Sequence, residues 1–271
     1  MHQKICLVIG DPISHSLSPH MHNYAYQKLG LQNQFVFTSA HVRPENVRQA
    51  IEGVRALNIR GCSVTVPHKQ AVLQFLDQID PLAEKIGAVN TILNQDGVLC
   101  GFNTDYYGFL LPLKSRTSLL GARTLILGAG GAARSAILAL KDAGARITIM
   151  NRTRQKAEAL AKEFLLEVAD WDDCQVIADH PVIINCTSAE LLSGGSVLDL
   201  HCSKLRAGQI VFDSVYRLGG TEFLKKAKSA GAHVIDGLEL LAAQGAEQFR
   251  MYTGKEVGFK LMYEALTSCG N

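Results

Sequence analysis

The chain has 271 residues, 47% of them hydrophobic, a length that suits one large core or two ordinary domains, and two are expected. Charged residues make up 19% of it and the formal net charge is +2, spread without blocks, so no basic stripe marks a nucleic-acid partner. No apolar run reaches the roughly 18 to 20 residues of a membrane span, and Met1 to Lys4 lacks a signal peptide's apolar stretch, so a cytoplasmic protein is expected.

The seven cysteines (Cys6, Cys62, Cys100, Cys174, Cys186, Cys202, Cys269) are scattered, with no C-x-x-C pair, and read as reduced, mostly buried thiols. His20 and His22 sit two residues apart and point to different faces of a helix, whereas helical metal ligands stand three or four apart. No metal site is expected.

Strand and helix patterns alternate from the start. Lys4 to Ile9 is an apolar run closed by Gly10-Asp11-Pro12, which predicts a buried strand and a turn. A helix is predicted from Ser18, with the hydroxyl as cap and Pro19 at the tolerant first position. Gln34 to Ser39 reads as a strand, Pro44 to Leu57 as a helix with Val47, Ile51, Val54 and Leu57 on its apolar face, and Gly61 to Val66 as a strand. Asp96-Gly97 between Thr91 to Leu93 and Val98 to Cys100 predicts a tight hairpin. A second βαβ unit then begins: strand Thr124 to Leu127, helix Ala132 to Ala143, strand Arg146 to Met150. The restart predicts a domain boundary near Asp105. Later strands are predicted at Val182 to Ile184, Ile210 to Phe212 and His233 to Ile235, with a helix over Gly220 to Ala230 and a helical tail from Leu238 to Ser268 that carries Gln244.

Between the strand at 124 and the helix at 132 lies Gly128-Ala129-Gly130-Gly131-Ala132-Ala133, the G-x-G-x-x-A form of a dinucleotide-binding turn. Glycines there permit a sharp turn and close approach to a pyrophosphate, which rests on the helix amides. The next strand ends in Asn151-Arg152-Thr153, followed by Arg154 and Lys156, where an NAD enzyme usually carries a carboxylate for the ribose 2′-hydroxyl. Nothing in that stretch repels a 2′-phosphate and Arg152 is suited to bind it, so NADP is the expected cofactor. Of Arg154 and Lys156, one is expected only to solvate a helix face.

Three polar clusters stand out in the first half. The loop Gly10 to Pro19 brings Ser14 and Ser16 to a helix N-terminus, as a carboxylate site or as turn and capping residues. Thr65-Val66-Pro67-His68-Lys69 ends a strand in a lysine, either a proton-transfer group or a surface residue. Asn90-Thr91 and Asn103-Thr104-Asp105 place an amide and a carboxylate before the domain junction, and Asp105 reads equally as a cap for a helix from Tyr106.

Taken together, Gly10 to Pro19, Val64 to Lys69, Gly87 to Ile92, Asn103 to Asp105, Gly128 to Ala133, Asn151 to Thr153 and Gln244-Gly245-Ala246 resemble the shikimate dehydrogenases in order and spacing, over almost the whole chain. The resemblance implies an α/β protein of two domains: an N-terminal α/β substrate domain (1–104 plus the returning C-terminal helices, 238–271) and a Rossmann-type NADP-binding domain (105–237). It implies reversible reduction of 3-dehydroshikimate to shikimate by NADPH, with Lys69 and Asp105 as the catalytic pair. Ser14, Ser16 and Tyr216 would hold the carboxylate, and Thr65, Lys69, Asn90, Asp105 and Gln244 would surround the ring hydroxyls. Gly128, Ala129, Gly130, Gly131, Ala132, Asn151, Arg152, Thr153 and Lys156 would hold NADP, joined by Thr187, Val215 and Gly237. A monomer or homodimer is expected. Departures from the family pattern are Glu190, Glu239, His68 and the pair Arg217-Leu218, which stands where Asn-Pro usually follows the tyrosine; the two acids are expected to disturb the nicotinamide side. A quinate/shikimate dehydrogenase of broader specificity and a non-catalytic NADP-binding regulatory module are the alternatives; the second has no use for Lys69, Asp105 and Gln244 together.

Overall fold

Residues 3–187 and 202–268 are described in a computed structural model, so Glu190 and Cys269 lie outside the described residues. The chain folds as two compact units, one running to Gly108 and resuming at Leu241, the other Phe109–Leu240. These limits fall a few residues inside the helices Asp105–Lys114 and Gly237–Thr253, which continue through both positions.

In the first unit the apolar run Lys4–Gly10 (β1) pairs in parallel with Phe35–His41 (β2) on one side and Gly61–Val64 (β3) on the other. Antiparallel pairing then takes over: β3 meets Thr91–Gln95 (β5), and β5 meets Val98–Phe102 (β6) through the hairpin at Asp96 and Gly97, both with positive φ. Gln78–Ile79 (β4) closes the order β2-β1-β3-β5-β6-β4. The helix Val47–Ala56 (α2) buries Val47, Ile51 and Val54 at i, i+4 and i+7 against Ile9, Cys62 and Val64 of the sheet. Leu57 follows the last helical residue and is 73% exposed, because the turn after Ala56 rotates it off that face. The helix Ser18–Lys28 (α1) also departs from expectation: Leu17 occupies the cap position, Ser18 is buried inside the first turn, and the Ser18 amide donates to Ser16 Oγ at 3.4 Å.

Among the described residues, the second unit is built on a six-stranded parallel sheet. Arg123–Leu127 (β7) lies between Arg146–Met150 (β8) and Val182–Asn185 (β10); Glu167–Ala169 (β9) extends one side, and Ile210–Asp213 (β11) and His233–Ile235 (β12) the other. This is a doubly wound Rossmann order, with the reversal between β7 and β10, and ligands of such sheets bind at the carboxyl ends of the strands at that reversal. The strands are buried apolar runs because helices cover parallel sheets on both faces. Leu125, Leu127, Met150, Ile183 and Val211 pack with Phe223, Leu224 and Ala227 of the helix Glu222–Ser229.

Among the described residues, no helix is long and apolar enough to cross a membrane, and no group of three or more His, Cys, Asp or Glu is placed to hold a metal ion.

Candidate active site

The lysine of the first unit is fixed at its backbone before its side chain reaches anything. After β3 the chain turns: the His68 amide donates to the Thr65 carbonyl at 2.9 Å, and the Lys69 carbonyl accepts from the Val89 amide at 2.8 Å. His68, one of the departures from the family pattern, is buried and donates from Nε2 to the Val42 carbonyl at 2.6 Å, so it anchors this turn. Lys69 Nζ then lies 2.5 Å from Asp105 Oδ2, with the two side chains only 13% and 6% exposed.

Asp105 begins the helix Asp105–Lys114 (α4), but Asn103 does the capping, its Oδ1 accepting from the Tyr106 amide at 3.3 Å. The Asp105 carboxylate is therefore available to Lys69 on one oxygen and to Asn90 Nδ2, at 2.8 Å, on the other. A buried carboxylate is stable only when so paired.

Around this pair lies a buried polar network. Asn90 Oδ1 accepts from the Thr104 amide and from Thr91 Oγ1, both at 2.8 Å, and Gln244 Oε1 accepts from Thr104 Oγ1 at 3.2 Å and Asn90 Nδ2 at 3.3 Å. Gln244 comes from the helix Gly237–Thr253, and one turn further on Gln248 donates to Thr91 Oγ1 at 2.9 Å while accepting from Ser63 Oγ at 2.9 Å. Tyr252 reaches the same Ser63 hydroxyl at 3.0 Å. Gln244 was a candidate from the resemblance and Gln248 and Tyr252 were not, although their spacing of four and eight puts all three on one helical face. Thr65 is half-buried, its methyl packed over Gly10, where a Cβ would meet it at 2.5 Å. That contact joins the ends of β1 and β3, so the loop holding exposed Ser14 and half-buried Ser16 starts beside Thr65.

In the second unit the glycine turn occupies the reversal of the sheet. A Cβ on Gly128, whose φ is +110°, would stand 2.9 Å from the carbonyl carbon and oxygen of Cys186, so only glycine lets the ends of β7 and β10 meet there. Gly130 differs: no atom lies within 4 Å of the place its Cβ would occupy, and it caps the helix Gly131–Asp142 (α5) with no side-chain hydrogen bond. An open space before uncapped helical amides fits a pyrophosphate, with Gly128 to Ala132 as its cradle.

One buried carboxylate organises the neighbouring loops. Asp213 Oδ1 accepts from Asn185 Nδ2 at 2.8 Å and from the Val215 amide at 3.0 Å, and Asp213 Oδ2 accepts from Thr221 Oγ1 at 2.7 Å. Asn185 Oδ1 in turn accepts from the Thr187 amide at 2.9 Å and hydroxyl at 2.7 Å. Thr187 and Val215 are thus held by one network, and half-buried Tyr216 follows Val215 in this unit. Gly237 packs against the same loop: a Cβ there would lie 2.5 Å from the Val215 carbonyl carbon and 2.6 Å from the Tyr216 nitrogen. Asp213 and Asn185 were absent from the sequence-based candidates, since their meaning lies in a contact across strands paired at Asn185 and Asp213.

At the end of β8, Asn151 Nδ2 donates to the Thr153 carbonyl at 2.8 Å, and Arg152 and Lys156 are exposed. Arg154 is the cation held elsewhere, by Glu158 at 2.7 Å and by Asp170. Glu239 meets Arg116, whose Nη2 donates to both carboxylate oxygens at 2.9 and 2.8 Å. Burial nonetheless pushes its carboxyl above the ordinary range, Arg116 opposing this and Asp236 adding to it.

Comparison with known proteins gives a consistent result. Residues 8–92 match the shikimate dehydrogenase substrate binding domain model, residues 112–201 the shikimate / quinate 5-dehydrogenase model, and residues 237–267 the shikimate 5′-dehydrogenase C-terminal domain model. A shikimate dehydrogenase (NADP(+)) of Geobacillus kaustophilus is 42% identical over 264 residues, covering 93% of this chain and 94% of its own. The crystal structure of shikimate dehydrogenase from Aquifex aeolicus superposes with a TM-score of 0.90 at 38% identity, covering 97% of both chains. Shikimate 5-dehydrogenase from Thermus thermophilus, crystallised in complex with NADP(H) and shikimate, superposes with a TM-score of 0.87 at 39% identity, covering 97% of this chain and 98% of that one.

Proposed function

The chain belongs to the shikimate dehydrogenase family, and we propose that it is an NADP-dependent oxidoreductase that reversibly reduces 3-dehydroshikimate to shikimate. The observation that carries this reading is the ammonium of Lys69 at 2.5 Å from the carboxylate of Asp105, both nearly buried. Reduction of a ring ketone creates an alkoxide, and a charged donor beside the oxygen both stabilises it and delivers the proton. Lys69 is that donor. Asp105 balances and aims the ammonium, and Asn90 holds the second Asp105 oxygen in place.

Thr65, Asn90, Asp105 and Gln244 supply the donors and acceptors that a polyhydroxylated ring needs, and Ser14 and Ser16 supply hydroxyls for its carboxylate, with Tyr216 assisting. NADPH supplies the hydride. Gly128, Ala129, Gly130, Gly131 and Ala132 hold its pyrophosphate, Asn151, Arg152, Thr153 and Lys156 its phosphorylated ribose, and Thr187, Val215 and Gly237 its nicotinamide end. The same reading takes the enzyme as a cytoplasmic monomer or homodimer acting on a small molecule alone. A domain that only sensed NADP would gain nothing from the Lys69–Asp105 pair.

The test is a spectrophotometric assay in the NADPH absorbance band, with NADP or NAD offered against shikimate or quinate in all four combinations. The highest kcat/KM is expected with NADP and shikimate; a preference for NAD or for quinate would overturn the corresponding half of the assignment.

A further inference from the structure

We propose that Asp170 is a specificity-determining residue, which lowers the enzyme's preference for a 2′-phosphorylated ribose by engaging Arg154. The inference rests on the NADP reading and deepens it. In the parallel pairing of β8 with β9, Met150 stands opposite Ala169, so Asp170 leaves its strand alongside Asn151. That strand end is where a Rossmann sheet meets the adenine-side ribose of a dinucleotide. Residues 151–156 contain Arg152, Arg154 and Lys156 and no carboxylate. The acid at this edge thus comes from the neighbouring strand.

Arg154 opens the helix Arg154–Phe164 (α6) and is the one of these three cations with two acidic partners among the described residues: its Nε donates to Glu158 at 2.7 Å and its Nη1 to Asp170. Glu158 is a partner one turn along the same helix, as many surface helices have. Asp170 is not. It engages a different guanidinium nitrogen from the end of β9. A 2′-phosphate carries close to two negative charges and competes for the same guanidinium, against the repulsion of the Asp170 carboxylate. A ribose with a free 2′-hydroxyl has no charge to feel either effect. Removing the carboxylate therefore acts on the phosphorylated cofactor alone, and because both side chains are more than half exposed the effect is moderate and screened by salt.

The measurement is calorimetric binding of adenosine 2′,5′-bisphosphate and of adenosine 5′-monophosphate to the full chain, for the native protein, Asp170→Asn, Arg154→Ala and the double variant. In Asp170→Asn the Kd for the bisphosphate is expected to fall by roughly three- to tenfold at low ionic strength. The Kd for the monophosphate stays unchanged, and the gain disappears when Arg154 is also replaced. Unchanged or weaker bisphosphate binding in Asp170→Asn, equal tightening of both nucleotides, or a gain that persists without Arg154 would overturn the proposal. Failure of the NADP reading would show separately, as a native protein that does not prefer the bisphosphate over the monophosphate. Steady-state KM for NADP and NAD then reports whether the same selectivity reaches turnover.

Discussion

Lys69 Nζ and Asp105 Oδ2 lie 2.5 Å apart although 36 positions separate the two residues along the chain. Each is delivered by a separately fixed backbone: Lys69 by the turn that His68 anchors, Asp105 by the helix that Asn103 caps. Replacing Lys69 by Ala removes the proposed proton donor without touching those anchors. The expected result is a fall in kcat of about a hundredfold or more, with a much smaller change in the KM for shikimate. If kcat stays within about tenfold of the native value, Lys69 does not carry the proton.

Gln248 supports the site from behind. Gln248→Leu leaves Ser63 Oγ and Thr91 Oγ1 without the partners they hold at 2.9 Å. Unfolding in urea should show a loss of about 1–3 kcal/mol, the net worth of two buried hydrogen bonds, since Ser63 Oγ keeps Tyr252 and Thr91 Oγ1 keeps Asn90. An unchanged midpoint would mean that the network relaxes around the leucine.

Two glycines separate packing from ligand binding. Gly237→Ala drives a Cβ to within 2.5 Å of the Val215 backbone, so it should lower thermal stability and raise the KM for NADP together. Gly130→Ala adds its methyl to open space at a negative φ of −96°, so the melting temperature should hold while dinucleotide affinity falls. Matching effects of the two variants on melting temperature would contradict this division.

Glu239 contributes a pH dependence of defined sign. Its folded carboxyl is raised above the ordinary value of 4.5, chiefly by burial. Stability linked to it is therefore fully present below the unfolded pKa and is lost as pH rises through the folded one. Relative to the native protein, Glu239→Gln should gain stability as pH rises across that window and keep the gain at neutral pH. Parallel stability curves from acid to neutral pH would show that Arg116 offsets the burial completely.

Thiol reactivity should follow burial. Cys6 is pushed up to about 12 by desolvation, and Cys62 is raised further, whereas Cys174 and Cys202 are partly exposed. Native protein at mildly alkaline pH should leave Cys6 and Cys62 unmodified by a disulfide reagent while Cys174 and Cys202 react, and peptide mapping distinguishes the four. Labelling of Cys6 before unfolding would refute the assignment.

Much of the molecule is legible without coordinates because its signals are local. Apolar runs bounded by glycine mark the strands, Asp96-Gly97 marks its hairpin, and the spacing of Gly128, Gly130 and Gly131 marks the turn at the sheet reversal. The boundaries that shift are those where several residues compete for one role. Leu17 displaces Ser18 as the cap because Ser18 is drawn into the buried first turn, and Asn103 displaces Asp105 because Lys69 and Asn90 engage the carboxylate.

Residue types and short-range periodicity thus determined the two-part α/β architecture and the glycine turn, while the resemblance in motif order and spacing supplied Lys69, Asp105 and Gln244 as site candidates. Only tertiary packing decided that Gln248 and Ser63 meet across 185 positions, that Arg116 meets Glu239 across 123, and that Asp170 engages Arg154 from the neighbouring strand. The reason is physical. Backbone propensity and side-chain period act between neighbours in the chain, whereas the partner of a polar side chain is set by which strand ends and helix faces the fold brings together.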